Sequence, residues 1–141
     1  MMLKLYNLTG RLVSRNVTKY LVDWDKPCRS KIQFEVKQFL KPFWQYQIVY
    51  EEFPVYGSRM SVDILNFTKK IAIEVNGPQH RKFNAFFHNN SKAKYLESIK
   101  RDWAKTEWLE KNKIVLVEIE DKEIKGLSTD FIKNKFGVSI I

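Results

Sequence analysis

The sequence predicts a mixed α/β domain, an α+β arrangement with helices packed on a mixed sheet. Three stretches, 46–53, 61–65 and 71–76, are rich in β-branched and aromatic residues and bounded by turn formers, as strands are. Two others, 31–41 and 91–111, repeat apolar residues at helical spacing. Their order is helix, three strands, helix, with a further apolar strand at 114–119, and helices must cover a sheet so arranged.

Residues 3–24 mix short apolar runs with Arg11, Arg15 and Lys19, which suits a strand or two, or an arm. Asp25 to Arg29 is a turn, and Ser30 is placed to cap a helix running to about Lys41, where Pro42 discourages continuation. Its apolar face is Ile32, Val36, Phe39 and Phe43, with Glu35 at the edge of that face. The strand 46–53 closes at Pro54 and Gly57. Residues 60–76 then form a hairpin around Thr68-Lys69, followed by a loop from Asn76 to His80. Residues 81–90 are aromatic and ambiguous. Ser91 would cap a long helix whose stripe is Tyr95, Leu96, Ile99, Trp103 and Leu109. Residues 114–119 read as a continuous buried strand, and the last twenty residues as lysine-rich with one short helix.

With 141 residues, the chain is long enough for one domain with a real core. The expected division is a core over about 30–120 with accessory segments at 1–29 and 121–141. Hydrophobic residues at 44% indicate a globular chain. Twenty-five Lys and Arg against 16 Asp and Glu leave a net charge of +9. That points to a polyanionic partner, nucleic acid before an anionic membrane surface, with solubility alone as the plainer reading. Cys28 is the single cysteine, so an internal disulfide is impossible and a cysteine-based zinc site is disfavoured. No signal-peptide pattern or membrane-spanning run is present, and a reducing cytoplasm, bacterial or viral, is the expected compartment.

The acids carry the chemistry. Counting outward from a two-residue turn at Thr68-Lys69 puts Asp63 directly opposite Glu74, on one face of the sheet. Two like charges so placed call for a cation, and hard oxygen donors suit Mg²⁺. Asp102 falls on the apolar side of the second helix, which directs it inward; the plain alternative is a buried salt bridge. Glu35 is either inward or solvated. His80 follows Gly77-Pro78-Gln79 just past the acid pair, where an imidazole could exchange a proton with water or a leaving oxygen. His88 has no acid at such spacing and reads as structural or DNA-facing. Arg59, Arg81, Lys82, Lys100, Arg101 and Lys105 surround the acids, as a site that must attract a phosphate requires. Trp44, Trp103, Trp108 and Phe86-Phe87 could stack on bases, although core is the commoner fate and the expected one for Trp103. There is no glycine-rich phosphate loop or Gly-x-Ser-x-Gly elbow, and Cys28 has no evident base.

A helix bearing Glu35, then Asp63 and Glu74-Val75-Asn76 on a hairpin, then a helix bearing Asp102, resembles the PD-(D/E)XK nuclease superfamily. The stretch Glu74 to His80 is similar to its very-short-patch-repair branch and to phage homing endonucleases with an E-D-x-H-D site. The resemblance covers about residues 30–120. It implies an αβββαβ restriction-endonuclease-like core and a Mg²⁺-dependent, site-specific DNA endonuclease, with Mn²⁺ as a substitute ion and double-stranded DNA as partner. The signature would fall on Glu35, Asp63, a variable position at Glu74, His80 and Asp102. Asp63, Glu74 and the Val75 carbonyl would hold the metal, with Asn76 and Gln79 as secondary residues. Asn76 stands where that superfamily usually has lysine, so another group must position the attacking water. The chain is short for reading a long target, so either a homodimer or the segments 1–29 and 121–141 would have to supply further contacts. A non-catalytic DNA-binding module and a junction-resolving or repair nuclease are the rivals.

Overall fold

A computed structural model describes residues 1–77 and 92–141. The chain opens with an antiparallel hairpin of β1 (Met2–Tyr6) and β2 (Leu12–Asn16). Its turn needs Gly10, at φ 86°, and the Asn7 side chain accepts the backbone N–H of Thr9 and of Arg11, each at 3.0 Å. Helix α1 (Lys31–Trp44) starts on Ser30, whose hydroxyl accepts the Gln33 N–H at 3.2 Å. Strands β3 (Val49–Pro54), β4 (Ser61–Asn66) and β5 (Ile71–Asn76) follow, then α2 (Lys92–Lys111), β6 (Val115–Glu120) and α3 (Thr129–Phe136).

The sheet order is β3-β4-β5-β6. β3, β4 and β5 pair antiparallel, whereas β6, reached by the α2 crossover, pairs parallel to β5. This is the mixed sheet with helices that the sequence predicts, and its elements follow the expected helix, three strands, helix, strand order. One side of the sheet packs Ile64, Ile73, Val117 and Ile119 against Val36, Leu40 and Trp44 of α1 and Ile132 of α3. On the other side, Leu65, Ala72 and Tyr50 meet Trp108 and Leu109 of α2 and Leu5 of the hairpin.

Several local expectations change. The buried face of α1 is Gln33, Val36, Lys37, Leu40 and Trp44, one step around from the apolar stripe the sequence displays. Lys37 is buried because it has partners: its ammonium reaches Glu51 at 3.0 Å and the Lys26 carbonyl at 2.7 Å. The helix continues through Pro42. In the last turn that proline forgoes one backbone bond, and buried Trp44 holds the turn by donating its indole N–H to the Ile140 carbonyl at 2.8 Å.

Of the tryptophans, Trp103 departs from the expected core position. Trp44 and Trp108 are core, and Trp103 is 65% exposed. Leu96 and Ile99 are exposed beside it, so the stripe expected to bury α2 faces outward over that stretch. Only Trp108 and Leu109, near its C-terminal end, anchor the helix in the core. The expected cap Ser91 lies outside the described residues.

Candidate functional site

β4 and β5 stay in backbone register up to Ile64 opposite Ile73. The connecting turn spans Phe67–Lys70, wider than the two residues expected, yet the register is the expected one because Lys70 takes a left-handed conformation, φ 58°. One step beyond Ile64, at Asp63 and Glu74, carboxylates replace backbone carbonyls. The Asp63 N–H donates to Glu74 Oε2 at 2.9 Å, and the Val75 N–H donates to Asp63 Oδ2 at 2.8 Å. The two acids therefore lie side by side where the strands part, each capping an amide of the other strand. On the opposite flank the β3–β4 ladder skips Glu52 and Asp63, where Glu52 adopts φ 51°.

This crowding shows in the protonation of Asp63. Burial, then the Glu74 charge, raises its carboxyl from 3.8 to about 7; Glu52 adds to the rise, while the Val75 N–H and Lys105 oppose it. Lys105, from α2, forms an ion pair with Glu74 Oε1.

β6 adds acids that sequence reasoning missed. Parallel pairing sets Glu74 beside Glu118 and Asn76 beside Glu120. Burial first, then the charges of Asp102, Glu74 and Glu120, raise the Glu118 carboxyl above its ordinary value. The signal was present in Val-Leu-Val-Glu-Ile-Glu, whose period-two alternation buries Val117 and Ile119 and turns Glu118 away. Reading 114–119 as buried throughout hid it.

Two clefts flank the pair. One, of about 700 Å³, is lined by Asp63, Glu74, Asn76, Asp102, Lys105 and Glu118 among others. The second, of about 940 Å³, shares Asp63, Val75, Asp102 and Lys105 and adds Arg29, Arg59 and Arg101. The fold thus assembles Asp63, Glu74, Val75, Asp102 and Lys105, and it brings Arg59 and Arg101 to the same place. Asp102 is exposed rather than buried, so the expected cost of an inward acid does not arise. Lys100 and Glu35 are exposed and line neither cleft. Glu35 is a correction: with Val36 and Lys37 turned inward, its position on α1 points to solvent. Gln33 is the α1 residue that reaches the acids, donating to Glu52 Oε1 at 3.2 Å. His80, Gln79, Arg81, Lys82, His88 and Phe86-Phe87 lie outside the described residues.

Among the described residues no group of three or more His, Cys, Asp or Glu side chains is arranged to hold a metal ion. Two facing carboxylates nevertheless suit Mg²⁺, which keeps most of its water and takes one or two carboxylates. Their mutual repulsion, visible in the raised Asp63 carboxyl, is what such an ion would relieve.

The chain is similar to "Uncharacterized protein 033L" of Invertebrate iridescent virus 3, with 31% identity over 99 residues covering 67% of this chain and 50% of that protein. It thus spans about half the length of the relative it matches. No protein-family model matches the chain, and no solved structure matches it significantly. Among the described residues no helix is long and apolar enough to cross a membrane.

Cys28 is hydrogen-bonded to Glu51, the strand neighbour of Glu52. Its thiol donates to Glu51 Oε2 at 2.9 Å, and burial, then Glu51, pushes it up to about 12. Thiolate is the reactive form. Alkylation by iodoacetamide at neutral pH is therefore expected to be at least tenfold slower in the folded protein than in urea, a rate readable by mass spectrometry.

Proposed function

We propose that this protein is a Mg²⁺-dependent DNA endonuclease of PD-(D/E)XK type. The observation that carries the reading is the Asp63–Glu74 pair at the point where β4 and β5 part, bordered by a cleft bearing Arg59 and Arg101. An acid pair that repels itself and stands beside arginines fits a centre that takes up a cation and then a phosphate.

Asp63, Glu74 and the Val75 carbonyl would hold the ion, with Mn²⁺ as substitute. A divalent ion bound there would polarise the phosphate and help ionise the attacking water. Lys105 pairs with Glu74, and it also provides the ammonium group that Asn76 cannot. On this reading the Lys105 ammonium, which lines both clefts, would serve the phosphate or the water. Asp102 lines both clefts and would orient a water, and the resemblance assigns proton transfer to His80, with Asp102 as its orienting residue. Glu118 joins the site as an acid beside Glu74, whereas Glu35 takes no part. Duplex DNA is the proposed substrate, and site-specific cutting of the homing type, a homodimer and a cytoplasmic place of action belong to the same proposal.

Plasmid nicking or linearisation with Mg²⁺ is the test. Cutting by the wild type that is lost in Asp63→Ala and His80→Ala, with DNA binding retained, is the expected result. Equal cutting by Asp63→Ala would overturn the assignment. Binding without cutting on plasmid, host genomic DNA and a four-way junction would replace it with a binding module.

A further inference from the structure

Glu52 is an acid in the middle of a strand with φ 51°, a conformation that non-glycine residues rarely adopt. The turn of backbone takes its carboxylate out of the ladder opposite Asp63 and into the 940 Å³ cleft. There it accepts from Arg29 Nη2 at 2.9 Å, Gln33 Nε2 at 3.2 Å and the Ser61 hydroxyl at 3.1 Å. The Arg29 side chain is 81% exposed, and exposed ion pairs contribute little to stability. Gln33 and Ser61 tie Glu52 to the fold, whereas the bond to exposed Arg29 adds little stability, and such backbone strain gathers at functional positions.

We propose that Arg29 is a phosphate-binding residue for the nucleic-acid backbone and that Glu52 is the positioning residue that aims it. This rests on the nuclease reading and extends its contact surface. Arg29 comes from the turn before α1, Arg59 from the β3–β4 connection and Arg101 from α2, and all three line one cleft whose floor includes Asp63. Three guanidinium groups from three separate elements, in one cleft that reaches Asp63, match a strand whose reactive phosphate sits at the acids and whose neighbouring phosphates need cations. Arginine suits this because its planar fork binds phosphate and carboxylate alike. Arg29 can stay partly on Glu52 while sharing its remaining donors with a phosphate.

The test is binding of a short fluorescein-labelled mixed-sequence duplex, with Ca²⁺ in place of Mg²⁺ so that no cutting occurs, across a range of salt. Arg29→Ala is expected to weaken binding about 5–10-fold at low salt and to lower the slope of log K against log salt by about 0.9. Glu52→Gln adds to the net positive charge, so a purely long-range effect would tighten binding. Positioning predicts the reverse, a loss of about threefold that disappears in the Arg29→Ala background, where Glu52→Gln adds no further loss. Unchanged melting temperatures for both variants show that the fold persists.

If Arg59→Ala and Arg101→Ala weaken binding while Arg29→Ala does not, the inference is overturned and the nuclease reading stands. Tighter binding by Glu52→Gln overturns the positioning role. A wild type that binds no duplex overturns both readings.

Discussion

Asp63→Asn is expected to abolish Mg²⁺-dependent cleavage and, in the same protein, to raise stability at neutral pH. The catalytic loss should reach at least about 10³-fold, the scale of removing a group that meets transition-state charge. The gain in stability has a separate origin. The Asp63 carboxyl lies near 7 in the fold against an ordinary 3.8, because it is buried and faces Glu74. Folding therefore takes up a proton between those values. The Asp63 contribution to stability is greatest below about pH 4, falls as pH rises from there through about 7, and carries the full cost above that.

Asparagine removes that charge while its carbonyl can still accept the Val75 N–H. Without metal, at about pH 8, the gain should be about 2–4 kcal/mol, or roughly 5–15 °C in Tm; near pH 4 it should vanish. Thermal unfolding in EDTA at the two pH values reads this directly. Added Mg²⁺ should stabilise the wild type and not the variant, since a ligand that binds only the fold raises its stability. Equal stability of the two proteins at both pH values would show that Asp63 carries no such strain.

Lys37→Met is expected to cost about 3–5 kcal/mol, the usual penalty for leaving one member of a buried ion pair alone. The Lys37 side chain is fully buried and pairs with Glu51, whose side chain is only 15% exposed. Glu51 also accepts from the Cys28 thiol and, at 3.4 Å, from Gln33. Those neutral donors cannot balance a carboxylate in so dry a place. Adding Glu51→Gln should recover more than half of the loss, because the orphaned charge rather than the missing methylene packing dominates. Urea unfolding of the two single variants and the double variant measures the coupling. A loss below about 1 kcal/mol for Lys37→Met would mean that water reaches the pair.

Much of the architecture was legible because it is written locally. Alternation and turn residues mark β4 and β5, and Ser30 marks the start of α1. The facing of Asp63 and Glu74 follows from the hairpin register, which neighbouring residues decide. What was not legible was which side of a helix would meet the sheet. In α2 the exposed stripe of Leu96, Ile99 and Trp103 is as regular as any buried one. The cleft is instead walled by Ser98, Arg101, Asp102 and Lys105 on the helix's polar side. Periodicity says that residues share a face, not that the face is covered. In α1 the same ambiguity put weight on Glu35 when Gln33 and Lys37 are the inward polar residues.

By itself, then, the sequence determined the α+β class, the order of the core elements and the Asp63–Glu74 pair, all of them products of short-range pattern. Only the tertiary structure decided that Glu118 would stand beside Glu74, that Lys105 would pair with it, and that Glu52 would turn out of its strand toward Arg29. Each of those joins elements separated by a crossover or a sheet edge. Their juxtaposition is set by how the helices dock and how the sheet twists, which no window of neighbouring residues contains.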